Sequence, residues 1–297
     1  MKPRWTLVAA GPAVLAMLAC SLVQPPEAPV DEVATIVAAT LEAVTLAAPA
    51  QPDTPSAPAG TAVAFPGGRL VIPPGLASGA SSETVPAAAS DESMPWWGTW
   101  PEHVVVELEG YALQGTFHKP EILIYPANEY AALNQSVAGG LQELRDQLAN
   151  PGSLSGPDVP PSVPFFNAGA LIGAKAEVIS FQAGQGVRAL TEYAQYYAPI
   201  NNNDLFYHFQ GLTSDGKWFV VAILPLTSPM LAAGSTESDV APPGGVPFPG
   251  YDSVDENTWQ TYYQAITDLL NATSPGQFDP TLTSLDAMMQ SLDLSSQ

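Results

Sequence analysis

The feature that most constrains this fold is a run of four short apolar segments around two glycine-containing turns in the middle of the chain. Residues 178–181, the turn Ala183-Gly184-Gln185-Gly186 and residues 187–193 read as one hairpin. Residues 205–210, the turn Thr213-Ser214-Asp215-Gly216 and residues 218–224 read as a second, since Asp-Gly supplies the positive φ that such turns require. Together they predict a four-stranded antiparallel meander. Its last strand, Trp218-Phe219-Val220-Val221-Ala222-Ile223-Leu224, is apolar on both faces, so it belongs near the centre of a sheet covered on both sides.

Flanking segments extend the pattern. Arg69-Leu70-Val71-Ile72, stopped by Pro73-Pro74, and residues 104–108 and 122–125 read as further strands. Val137, Leu141, Leu144 and Leu148 recur at steps of four, three and four, one face of a helix that Ser136 can cap and Pro151 follows. Trp259, Tyr262, Tyr263, Ile266, Leu269 and Leu270 form a wide stripe on another helix, with Ser253 and Glu256 as its capping box. Leu282, Leu285, Met289 and Leu292 predict a final docking helix. The expected fold class is therefore α+β, an antiparallel sheet covered by helices in one domain spanning 67–297. Residues 151–164 and 227–251 lack periodicity, are rich in small residues and proline, and read as long mobile loops.

The first 20 residues carry a different kind of information. Met1, Lys2 and Arg4 precede an apolar run from Trp5 to Ala19 that stops at Cys20, the only cysteine. Basic residues, an apolar core and a small residue beside a cysteine are the elements of a lipoprotein export signal. The run holds Gly11 and Pro12 and is short of the ~20 residues a bilayer span needs. Met17-Leu18-Ala19-Cys20 resembles the lipobox, with Met17 where Leu is usual. Cys20 is the expected lipidation site, and two acyl chains hold a protein on a membrane where one does not. Without lipidation the chain would be secreted. Residues 21–66 then read as a Pro/Ala-rich tether with a short helix at 31–46, in which Val30, Val33, Val37, Thr40 and Val44 mark a heptad-like seam.

Composition excludes whole classes of function. Removal of Lys2 and Arg4 with the signal leaves six basic against 29 acidic residues, a formal charge of −23, which repels phosphate backbones and anionic headgroups. Nucleic acid is not an expected partner. The mature chain has no thiol besides Cys20, so its stability must come from a core. The three histidines, His103, His118 and His208, form no His-x-x-x-His pair, and neither a Gly-x-Ser-x-Gly elbow nor a phosphate-cradling loop is present. No metal, cofactor or catalytic residue is expected from these motifs.

The best polar constellation lies in the meander. Strand alternation puts Arg188 and Glu192 on one face with Leu190, and His208 and Gln210 on one face with Phe206. If the register makes these the same sheet face, the four would converge on partly apolar surroundings and form a ligand pocket. If it does not, Arg188 and Glu192 are an ordinary ion-pair face.

The run from Phe181 to Gln195, with Pro199-Ile200-Asn201-Asn202 and Gln210-Gly211-Leu212-Thr213-Ser214-Asp215-Gly216-Lys217, resembles an uncharacterised group of bacterial exported lipoproteins. That likeness implies location and no catalytic residues. The order of meander and amphipathic helix is also similar to the PsbP-like fold, which carries no function by itself. The sequence thus points to a membrane-anchored, extracytoplasmic binding or assembly module of the cell envelope, with an envelope protein as its expected partner. The alternatives are a hydrolase using His208 with Glu192 or Asp204, and a spacer without a ligand.

Overall fold

The computed structural model describes residues 59–88, 98–161, 163, 166–236, 238–252 and 255–294. Cys20 with its signal, the 31–46 helix and Ser253 lie outside them. The described residues form an α+β fold whose centre is a seven-stranded, wholly antiparallel sheet. Its strands are β3 (Gly79–Val85), β4 (His103–Glu109), β5 (Glu121–Pro126), β7 (Ala174–Phe181), β8 (Gly184–Thr191), β10 (Phe206–Thr213) and β11 (Trp218–Pro225). The order across the sheet is β3-β4-β5-β11-β10-β8-β7.

The meander is present as β7-β8-β10-β11, and β11 occupies the middle of the sheet with β5 and β10 on its flanks. Every residue of β10 and all of β11 after Trp218 are buried, as a strand apolar on both faces requires. The second turn behaves as its Asp-Gly suggests: Gly216 has φ 71 and its N–H donates to the Thr213 carbonyl. The first turn differs. Gly184 and Gly186 sit inside β8, paired with Thr213 and Gly211, and neither has a positive φ. Gly186 is required by space: a Cβ there would lie 2.2 Å from the Phe209 ring, which also crowds Gly211 on the facing strand.

Among the described residues, four α-helices cover the two faces. α1 (Ala127–Leu133) and α2 (Gln135–Ala149) pack Tyr130, Val137, Leu141 and Leu144 against Tyr125, Phe206, Phe219 and Val221. On the other face, α3 (Glu256–Ala272) and α4 (Leu282–Gln290) bury Trp259, Ile266, Leu270, Leu285 and Met288 against Tyr207, Phe209, Val220 and Leu224. A hairpin of β1 (Thr61–Phe65) and β2 (Gly68–Ile72) adds Phe65, Leu70 and Ile72 to that layer. Folded structure therefore begins before the expected boundary at Gly67, which is the hairpin turn, φ 83. Arg69 ties this hairpin to the far end of the chain through a 2.7 Å ion pair with Asp293. A two-stranded pair of β6 (Gly169–Ala170) and β9 (Tyr193–Ala194) lies beside the main sheet.

Helix caps differ from expectation in identity and not in kind. Asn134, not Ser136, caps α2, its side chain accepting from the Ser136 N–H. Asp255 caps α3 by accepting from the Thr258 N–H at 2.9 Å. Both are the short polar side chains that satisfy orphan donors at a helix start. The 151–164 loop is not a free loop, since Val159 and Val163 are buried in the α2-side core.

Candidate functional site

The register separates the four residues that the sequence grouped. Arg188 lies opposite Phe209, on the α4 side, whereas His208 lies opposite Ala189 and Gln210 opposite Val187, on the α2 side. Alternation then sends the two sets to opposite faces, so the convergent pocket does not form. Each of the four is buried and tied into the fold.

Arg188 reaches toward α4. Its guanidinium donates to Glu177 Oε2 at 2.8 Å, to Asp286 Oδ1 at 3.2 Å and to the Lys175 carbonyl. Asp286 also accepts from the Tyr207 hydroxyl at 2.9 Å. This network clamps α4 onto β7, β8 and β10. Glu192, 2% exposed, accepts from the Asn201 N–H at 2.9 Å and from the Asn201 side-chain amide, which also donates to Asp204 Oδ2. Burial pushes the Glu192 carboxyl well above the usual carboxylate range, against the pull of the Asn201 N–H.

His208 is fully buried among Phe166, Tyr193 and Phe206, with ring centroids 6.3, 6.0 and 5.5 Å away. Its Nε2 meets Gln210 Nε2 at 3.2 Å, and its Nδ1 has no hydrogen-bond partner among the described residues. Gln210 in turn donates to the Pro161 carbonyl. Neither Glu192 nor Asp204 hydrogen-bonds His208, so the base–carboxylate pair expected of a hydrolase is not assembled there. Burial lowers the His208 pKa to about 3, with His118 adding to the effect. His118, its ring tilted by 55° at 4.3 Å from Phe206, is lowered by burial to about 4 against the attraction of Asp204. Nothing in the sequence pairs His118 with His208, because the two share Phe166 and Phe206 as ring neighbours only once the chain around His118 lies against β10.

The open concavities lie elsewhere. Residues 227–232 are pinned to the 201–202 loop: Ser228 N–H donates to Asn202 Oδ1, and Asn202 returns bonds to the Ser228 and Leu231 carbonyls. Beyond Ala232 the chain leaves the core and is back against Met230 at Gly244 and Gly245; Phe248 then packs its ring on Trp259 at 5.3 Å and Tyr262 at 5.8 Å. Tyr251 meets Phe248 edge-on at 4.9 Å and 66° and is 48% exposed. Under the arch is a cavity of about 630 Å³ whose lining includes Thr236, Asp239, Pro247, Phe248, Tyr251 and Asp252. Asp252 thus belongs to this lining, while Asp255 of the same acidic cluster caps α3.

No protein-family model, curated protein or solved structure matches this chain.

A second, smaller cleft of about 310 Å³ runs between the polar side of α3 and the 154–157 loop, with Lys175, Gln264 and Asn271 in its wall. Lys175 has a left-handed backbone, φ 55, at the irregularity where β7 leaves register with β8. Its N–H donates to Asn271 Oδ1 and its Nζ to the Asn271 carbonyl, so the cation already serves the end of α3. Among the described residues no group of three or more His, Cys, Asp and Glu is placed to hold a metal ion. No described helix is long and apolar enough to cross a membrane.

Proposed function

We propose that this chain is exported, held on the outer side of a cell membrane by two acyl chains on Cys20, and works there as a non-catalytic binding module of the cell envelope. The export signal and lipobox-like Met17-Leu18-Ala19-Cys20 support the location, and the likeness to exported lipoproteins agrees with it. One structural observation supports binding over chemistry. Arg188 is held by Glu177 and Asp286 and Glu192 by Asn201 within the fold, while an open cavity is lined by proline, aromatic and hydroxyl groups with two carboxylates, Asp239 and Asp252. Such a lining offers shape and a few polar anchors, which is the make-up of a ligand site.

The test is crosslinking of the full-length lipidated protein in its native membrane, with mass identification of what is attached. Stoichiometric attachment of a partner or ligand is the expected result. A turnover activity that survives in the absence of any captured partner would contradict the reading.

A further inference from the structure

We propose that the cavity beneath the 235–252 arch binds an alkylated organic ammonium ion. This rests on the reading of the protein as a binding module and adds the chemical class of the ligand.

Charge argues first. From Trp218 onward the sequence holds nine Asp and Glu and no Lys, Arg or His, and the whole cavity wall comes from that stretch apart from Pro199. Asp239 and Asp252 both line it, and no ion pair among the described residues involves either. The formal charge of −21 for the chain adds a long-range field of the same sign, which concentrates cations at the mouth of a concave site and repels anions.

Ring geometry argues second. Phe248 and Tyr251 meet at 66°, forming a corner of two aromatic faces, and Trp259 backs them with its ring 5.3 Å from Phe248 and 6.4 Å from Tyr251. Inclined aromatic faces beside carboxylates suit an ammonium centre, which the negative face of each ring attracts.

The donor and acceptor inventory narrows the class. Among the described residues the lining contains no Asn, Gln, His, Lys or Arg, so its side-chain donors are the Ser235, Thr236 and Tyr251 hydroxyls alone, few for the several hydroxyls of a neutral sugar. Asp239 Oδ2 already accepts from the Thr236 N–H and hydroxyl, so part of the carboxylate charge is held by its own loop and acts on a ligand through space. An alkylated ammonium is recognised by such charge without donating a hydrogen bond, and its methyl groups fit proline and aromatic walls.

The experiment is titration calorimetry of the full chain with choline chloride, beside glucose and calcium chloride. Expected is saturable choline binding that weakens roughly tenfold in Tyr251→Ala, whose ring is half exposed, and in Asp239→Asn/Asp252→Asn. Circular dichroism confirms that both variants fold; should the double variant not fold, Asp252→Asn alone replaces it. Absence of choline binding overturns the proposal, as does binding that both variants leave intact. Calcium binding abolished by the carboxylate changes but indifferent to Tyr251→Ala would also overturn it and mark an acidic patch for inorganic ions. Glucose binding lost in Tyr251→Ala would overturn the ammonium assignment while leaving the binding-module reading standing; only the crosslinking experiment decides that reading.

Discussion

Burial of His208 in its neutral form should destabilise the domain as the pH falls. The ring is fully buried, its Nδ1 finds no partner among the described residues, and burial holds its pKa near 3 against 6.5 for an ordinary imidazole. The sign follows from linkage. Below pH 6.5 the unfolded chain takes up a proton that the folded chain refuses, so stability falls with pH until the folded value is reached. One refused proton costs about 1.4 kcal/mol per pH unit, which gives about 2 kcal/mol between pH 7.5 and pH 5. His118, lowered to about 4, acts in the same sense. Glu192 acts in the opposite sense: its raised carboxyl gains a proton in the fold as the pH falls, and that stabilises. A raw stability curve therefore mixes gains and losses. The informative assay is urea unfolding of wild type and His208→Asn across pH 5 to 7.5, taking their difference at each pH. The variant's disadvantage should shrink by about 2 kcal/mol on going down to pH 5. Parallel curves, with a gap constant to within about 0.5 kcal/mol, would refute the claim that His208 is held neutral by burial.

Two further outcomes test the packing. Arg188→Met should cost about 3 kcal/mol in urea unfolding because it leaves Asp286, 18% exposed, without its cation; Arg188→Met/Asp286→Asn should recover part of that loss, since the Tyr207 hydroxyl keeps an acceptor. Gly186→Ala should cost about 1–3 kcal/mol, because its Cβ must displace the Phe209 ring, and a neutral result would show that the ring moves freely.

What the sequence made legible follows from which forces act locally. The meander was readable because β-branched and aromatic runs around Asp215-Gly216 carry both strand period and turn chemistry within 50 residues of chain. β11 was placed at the sheet centre for the same reason: seven apolar residues in a row leave no face for water. β3, GASSETV, escaped notice because an edge strand of small polar residues has neither hydrophobic period nor β-branched enrichment. α1, ANEYAAL, is too short to show a helical stripe and is anchored chiefly by Tyr130 packing on Tyr125. Gly186 read as a turn residue because glycine permits turns, yet its role is to admit the Phe209 ring, a contact made across strands. The candidate site failed for a comparable reason. Residues 188 and 208 alternate correctly along their own strands, but the register that sets Arg188 against Phe209 is fixed by packing and not by local spacing. The arch that carries Asp239, Phe248 and Tyr251 was visible as an aperiodic, proline-rich stretch, and its aromatic partner Trp259 as part of the α3 stripe. Their meeting around a cavity depends on the excursion from Ala232 to Gly244, which no period encodes.

The account as a whole rests on Cys20, and the direct measurement is fractionation of cells producing wild type or Cys20→Ala, with the lipid on the wild-type protein identified by mass. Wild type in the membrane fraction carrying a diacylglycerol on Cys20, with Cys20→Ala released to the soluble fraction, is the expected result. A Cys20→Ala protein that stays on the membrane, or a wild-type protein bearing no lipid, would contradict it.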